Sequence, residues 1–348
     1  MPVTELKKID STLQELIHLF NNSLKSFQKH YFITHHQNKI LTSLKNNISS
    51  DEAYIVLDFS QNYNAKYHEE IQAVHFGASK KQISLQTGVI YLKDTNISFV
   101  SPSDCLRHEA PAVWALLAPV LKHLMQIHPN ITCVHFQSDG PTAQYKNKNN
   151  FHLFKLYCKE FNLERATWNY TSAGHGKSSA DGIGGTVKNM CDNFVACGNN
   201  ILCANDVRNL IRNKNCQIEA FVVTEEEINA VAAKLDSQIP SVQQTMKIHQ
   251  VMWSKKNETE LFTRYLRGID CINKDNCTHY GLFDETIKTT NYYQSTNEFK
   301  NGDWIVVIYD KWYAGVIEDV KNDFMVTKFL SYTKNEYCFV QPPRPEDT

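Results

Sequence analysis

Three aspartates in this 348-residue chain stand where their type and setting could do chemistry: Asp58 in YIVLDFSQNY, Asp139 in VHFQSDGPTAQYKN and Asp181 in HGKSSADGIGGTVKN. The first closes an apolar β-type run, Tyr54 to Leu57. The second follows another such run, Ile131 to Phe136, after Gln137 and Ser138, and the third sits in a glycine-bearing stretch that opens a predicted helix. A carboxylate at the end of a buried strand is costly unless something pairs with it. Three that converge most naturally hold divalent cations, since hard cations take oxygen ligands. Two such ions can stabilise both the attacking and the leaving oxygen of a phosphodiester. The expectation is therefore two Mg2+ or Mn2+ ions on Asp58, Asp139 and Asp181, which would serve as catalytic and metal-holding residues in phosphoryl transfer on nucleic acid.

Each acid also has a plainer reading. Asp139-Gly140-Pro141 is a good turn, and an aspartate ahead of a helix can simply cap it. Asp192 and Glu164 are rivals for the third position. The intervals leave room for two strands and a long helix between the first two acids, then one helix and one strand before the third. Both suit carboxylates gathered at one end of a sheet. Around them lie groups that could touch a nucleic-acid backbone, which is contacted by Lys, Asn, Gln and Tyr alike. Lys146, Asn147, His175, Lys177 and Lys188 are the expected DNA-binding residues, and Asn62 and Tyr63 could line the same site. Gly182, Gly184 and Gly185 would let backbone approach a phosphate at a helix N-terminus, although a tight structural turn reads equally well. Cys271 and Cys277, with His279, carry only a hint of zinc-ligand spacing.

The elements that must position these groups follow from periodicity. Residues 5 to 47 read as helical, with Leu13, Leu16, Ile17 and Phe20 in a stripe and an interruption at His30 to His36. A strand ends at Asp58, Ile71–Gly77 and Ile83–Leu92 read as two more, and 109–127 reads as an amphipathic helix kinked at Pro119. A strand at Ile131–Phe136, a helix over 144–161, a strand at Ala166–Tyr170 and the helix entered at Asp181 complete the core. This is an α/β pattern with a mixed sheet whose first three strands form an antiparallel meander. It is the element order of a ribonuclease H-like fold. Residues 198–250 read as helical, with a capping box at Thr224, and 255–300 as loops and linker. The expected organisation is a helical segment over 1–50, the ribonuclease H-like core over 51–200, helical and loop additions over 201–298, and a small C-terminal barrel over 299–348. The barrel's four short strands resemble SH3-like barrels of the Tudor type, in which Trp304, Tyr309, Trp312 and Tyr313 would form an aromatic site for chromatin or a protein tail.

Composition bounds the partners. Hydrophobic content of 42% describes a folded chain, and a formal charge of −1 supplies no global attraction to DNA, leaving that to local basic strips. No apolar run reads as a membrane span, and the N-terminus reads as an amphipathic helix, not a signal peptide. Ten scattered cysteines imply reduced thiols in nucleus or cytoplasm.

The motifs DFSQNY, SDGPTAQYKN and HGKSSADGIGGTVKN resemble a family of transposon-derived animal proteins with the patterns DF-x-x-NY, SDGP-x-x-QYKN and HGK-x-x-x-DG-x-GG. The resemblance spans roughly residues 30 to 340. It implies kinship with DDE-type transposases: DNA as partner, strand cleavage and transfer as activity, a nuclear location and a possible homo-oligomer. A complete enzyme of that type usually carries a DNA-reading domain upstream, and the stretch before Asp58 is too short for most. The chain is thus expected to be a fragment, a domesticated remnant or an element that relies on another reader. A non-catalytic nuclear protein binding DNA or chromatin is the alternative.

Overall fold

The computed structural model describes residues 12–69, 80–172, 178–214, 216–235, 239, 242, 244–266, 281–284, 300–302, 304–308, 312–320, 325–329, 331–332 and 339–340. The chain divides into two compact units, residues 1–290 and 291–348.

The first unit begins with α1, Leu13–Asn46. Thr12 and Glu15 form a reciprocal capping box, with Thr12 Oγ1 accepting from the Glu15 N–H and the Glu15 carboxylate accepting from the Thr12 N–H. The expected interruption at His30–His36 does not occur. Tyr31 lies 4.1 Å from His35 and Phe32 5.6 Å from His36, ring to ring, so the histidines make i,i+4 contacts that a helix favours.

Five strands carry the centre: β1 (Glu52–Asn64), β2 (Gln82–Tyr91), β3 (Asn96–Ser103), β4 (Cys133–Ser138) and β5 (Arg165–Tyr170). β1 to β3 pair antiparallel, and β4 and β5 add in parallel beyond β1. With β6 (Ile218–Ala220), β7 (Gln250–Ser254), β8 (Phe262–Arg264) and β9 (Gly281–Asp284), the order across the mixed sheet is β6-β3-β2-β1-β4-β5-β7-β8-β9. The meander's third strand is thus Asn96–Ser103, which the sequence reading left out because its serines and Pro102 look like turn residues. The strand expected at 71–77 lies outside the described residues. The supposed helical stretch 198–250 also holds β6, and the supposed linker holds β8 and β9.

Helices cover both faces. On one lie α2 (Ala110–Ile127) and α3 (Lys148–Glu160), joined by α6 (Glu225–Ala232); on the other lie α1, α4 (Ser179–Ala196) and α5 (Ala204–Asn213). The alternation of β1 explains the division. Ala53, Ile55 and Leu57 face the large core with Trp114, Phe136 and Trp168, while Tyr54 and Val56 meet Leu41 and Leu44 of α1. Trp114 is the hub of the large core, stacked at 4.7 Å on Tyr157 and edge-on to Trp168 at 5.4 Å, and its Nε1 donates to Asn150 Oδ1 at 2.7 Å. α2 has the length and apolarity of a membrane span, contrary to expectation, and its side chains from Ala110 to Leu124 contribute to the large core against the sheet.

The second unit holds an antiparallel sheet of β10 (Trp304–Ile308), β11 (Trp312–Val320) and β12 (Met325–Phe329), with β13 (Ser331–Tyr332) paired to β14 (Phe339–Val340). Tyr309 and the side chains of Trp304, Trp312 and Tyr313 lie outside the described residues, as do Cys271, Cys277 and His279.

Candidate acidic site

Parallel pairing brings the first two acids level. Val56 of β1 is opposite Gln137 of β4, so two residues further along stand Asp58, still within β1, and Asp139, just past the end of β4. β1 does not end at Asp58, as its sequence suggested, but runs on to Asn64 through an irregularity between Ser60 and Tyr63. Asp58 is therefore held inside a strand, opposite Thr87 of β2, and its Oδ1 accepts from the Phe59 N–H at 2.8 Å.

The third acid arrives on α4. Ser178 caps this helix, and Asp181 Oδ2 accepts from the Ser178 N–H at 2.8 Å. Thr87 Oγ1 donates to the Ala180 carbonyl at 2.9 Å, pinning the helix start beside Asp58's cross-strand partner. The glycine at 184 makes the approach possible: a Cβ there would lie 2.5 Å from Ser60 Oγ. At Gly182 and Gly185 a Cβ would meet nothing within 4 Å, so those positions face open space. Asp181 thus completes the capping box of its helix, and its charge reaches Asp58 and Asp139.

The rivals are placed elsewhere. Asp192 Oδ1 accepts from Tyr63 Oη at 2.9 Å and Lys66 Nζ at 2.6 Å, which leaves Tyr63 as a core residue with its hydroxyl tied. Glu164 precedes β5 and pairs with Lys255 at 2.8 Å, at the opposite end of the sheet from Asp139.

Burial and mutual charge set the electrostatics. Burial first, then the Asp139 charge, with a smaller push from Asp181, raises Asp58 to about 7 despite the Phe59 N–H. Burial and then Asp181 raise Asp139 to about 6, against the pull of Lys146. Asp139 Oδ1 is buried with no hydrogen-bond partner, as is the Tyr145 hydroxyl. Tyr145 is held protonated by burial and then by the charges of Asp58 and Asp139. Both half-buried carboxylates thus have a raised proton affinity, and one of their oxygens has no partner.

The residues expected to touch DNA part company. Lys146 is 4% exposed, its ammonium 5.0 Å from the Tyr170 ring, and burial lowers it to about 8 against the favourable charge of Asp139. Its stem crosses Gly140, where a Cβ would sit 2.7 Å from Lys146 Cε, so the glycine of the Asp-Gly-Pro turn makes room for the lysine. Asn147 is spent on its own backbone: Oδ1 caps α3 through the Asn150 N–H at 2.9 Å, and Nδ2 donates to the Thr142 carbonyl. The helix accordingly starts at Lys148 and not at 144. Lys188 lies half-buried, seven residues along α4 from Asp181. His175 and Lys177 lie outside the described residues.

Beside Asp139 opens a cleft of about 670 Å³, lined among others by Lys146, Thr171, Ser172, His249 and His30. The Thr171 and Ser172 hydroxyls are buried without partners, and burial, then the Lys146 charge, lowers His249 to about 4. The two hydroxyls follow the apolar end of β5, and nothing in their local sequence marks them.

A second cluster was not anticipated. Among the described residues, one carboxylate–thiol–imidazole group has all its ligand atoms within 4.8 Å of one another and could hold a metal ion: Glu52, Cys133 and His135. His135 Nε2 lies 3.4 Å from Cys133 Sγ and 3.7 Å from Glu52 Oε1, while its Nδ1 meets Thr167 Oγ1 at 2.8 Å. Arg165 lies 3.7 Å from the same Glu52 oxygen, so an ordinary buried ion pair accounts for the group equally well. The i,i+2 spacing of Cys133 and His135 on one strand face was the available signal. The oxygens of Asp58, Asp139 and Asp181 are not gathered within that radius.

No curated protein and no solved structure matches the chain. A family described as a domain of unknown function (DUF8701) matches residues 37–264, a span that includes all three aspartates, the cleft lining other than His30 and Ile33, and the sheet strands β1 to β8. The chain belongs to that family.

Proposed function

We propose that this protein cleaves and transfers DNA strands, using Asp58, Asp139 and Asp181 to hold two Mg2+ or Mn2+ ions. The observation that carries the reading is the register of β1 and β4, which levels Asp58 with Asp139 while α4 brings Asp181 within reach of both charges. When bound, the ions would supply an activated oxygen nucleophile and charge neutralisation at the leaving oxygen. The chain's own residues do the rest. The carboxylates set the coordination, Lys146 sets a cation beside Asp139, and the orphaned Thr171 and Ser172 hydroxyls offer donors to a phosphate in the adjoining cleft. The core order β3-β2-β1-β4-β5, with an antiparallel meander followed by parallel strands, supports a ribonuclease H-like fold. With the three motifs it supports descent from a DDE-type transposase and action in the nucleus.

A second reading is favoured by the formal charge of −1: a catalytically silent nuclear protein that binds DNA or chromatin through this core and the C-terminal unit. Calorimetric titration of Mn2+ and cleavage of a labelled duplex separate the two. The catalytic reading expects metal binding and cleavage in the wild type, with both lost in Asp58→Asn and Asp139→Asn at unchanged fold. Cleavage that survives either substitution overturns the assignment. DNA binding without metal uptake or cleavage moves the weight to the second reading.

A further inference from the structure

α1 is clothed along only part of its length. Its 34 residues span about 51 Å. From Thr34 onward one face is buried, with Leu41, Leu44 and the following Ile48 packed on Tyr54 and Val56. Before Thr34 most of the apolar side chains stand in solvent: Leu13 is 72% exposed, Ile17 50%, Phe20 56%, Phe27 59% and Tyr31 54%, while Ile33 is half-buried. Together with half-buried Leu24 they recur at intervals of four, three, four, three and four residues. That 3.5-residue period is the seam of a left-handed two-helix supercoil, since a lone straight helix would let the stripe drift by about 20° per heptad.

We propose that this seam, Leu13 to Tyr31, pairs with the same seam of a second copy of the chain to form a two-stranded coiled coil. The flanks favour a like partner. On one side of the seam stand Gln14, Asn21 and Gln28, on the other Leu16, Ser23 and His30, with no Lys, Arg, Asp or Glu among them. Two copies therefore meet without like-charge repulsion in either orientation. Glu15, Lys25 and Lys29 fall on positions away from the seam, and the Lys29 ammonium stands 5.7 Å from the Tyr265 ring. A nucleic acid or an oppositely charged protein would find no complementary charge along this stripe.

The area suffices. At these exposures the seam with Leu16 offers on the order of 700 Å² per helix, close to the roughly 800 Å² per partner of a standard interface. An apolar surface of that size is larger than soluble monomers leave bare, and an unpacked helix of this length is marginal in water. A two-fold pair satisfies both, because one patch covers its own copy. The inference stands on α1 alone and does not depend on the acidic site.

The test is light scattering on the full chain at micromolar concentration, with three proteins. The wild type, 40.1 kDa per chain, should run as a dimer of about 80 kDa. Phe20→Asp combined with Phe27→Asp should run as a monomer, its dissociation constant raised at least a hundredfold, with the unfolding midpoint of the sheet core unchanged. Leu19→Ser combined with Phe32→Ser removes side chains that are 56% and 55% exposed but lie off the seam, and should remain dimeric. A monomeric wild type overturns the proposal and leaves another segment of the chain or a different protein as the seam's cover. A dimer that survives the seam substitutions overturns it too. Equal loss in the off-seam variant reduces the patch to unspecific adhesion.

Discussion

Replacing Asp58 by asparagine should make the metal-free protein more stable at alkaline pH while removing its proposed activity. In the folded chain Asp58 keeps its proton up to about pH 7, against 3.8 for an ordinary aspartate. Between those values the unfolded chain binds fewer protons than the folded one, so stability falls as pH rises through the window. The contribution is fully present below the unfolded value and lost above the folded one. Roughly three pH units at about 1.4 kcal/mol each set a ceiling of about 4 kcal/mol. The carboxylate is partly reached by solvent, and screening brings the expected gap to about 2 kcal/mol. The asparagine amide carries no charge and can still accept from the Phe59 N–H through its carbonyl oxygen, so little else is lost. Urea titrations in EDTA at pH 4, 6 and 8 give the comparison. The two proteins should be level at pH 4 and about 2 kcal/mol apart at pH 8, with Asp58→Asn the more stable. Adding Mn2+ at pH 8 should raise the wild-type midpoint and leave the variant's where it was. A variant less stable than wild type at pH 8, or a gap that ignores pH, refutes the electrostatic account of the cluster.

Gly184→Ala should destabilise the fold by about 1–3 kcal/mol in the same titration, because its Cβ would meet Ser60 Oγ at 2.5 Å and push α4 off β1. Wild-type stability would show that the helix start is looser than drawn. Asn150→Ala leaves the buried Trp114 Nε1–H without a partner and removes one of the two donors to the Tyr145 carbonyl, which keeps the Tyr170 hydroxyl, and should cost about 1–3 kcal/mol in thermal or urea unfolding. Glu52→Gln should cost about 3 kcal/mol at pH 7, since it leaves His135 and Arg165 facing a neutral amide in a buried site. Glu52 is held down at about 2, first by the His135 hydrogen bond, so the stability it contributes is present above 4.5 and is lost as pH falls through 2. The gap between wild type and Glu52→Gln should close over that range, and a constant gap counts against the ion pair.

What could be read before the fold was known depended on whether a signal was local. Asp139 and Asp181 were legible because each sits at a boundary, a strand end and a helix start, that periodicity and capping residues announce. Asp58 was legible as a charge in an apolar run, but the strand's continuation to Asn64 was hidden by Ser60, Gln61 and Asn62, polar residues carried through an irregularity in the pairing with β2, which resumes at Tyr63. β3 carries no clear apolar alternation, since Ser98, Ser101 and Ser103 interrupt it, yet Ser101 is buried and its hydroxyl donates to the Leu116 carbonyl at 2.8 Å. Asn147 looked like a phosphate contact by composition, and only the start of α3 one residue later shows it to be a cap.

The sequence by itself thus determined the α/β class, the core helices and the three acids, because hydrophobic period and capping chemistry act over a few residues. Tertiary structure alone decided which acids stand close enough for their charges to interact. The parallel register of β1 with β4 sets Asp58 level with Asp139, and a missing Cβ at residue 184 lets α4 approach with Asp181. It also decided that Asp192 and Glu164 belong to lysines elsewhere, and that the C-terminal part of α1, from Thr34, finds its cover on the sheet while the seam before it remains exposed. Such outcomes rest on contacts between residues far apart in the chain, and no local pattern records them.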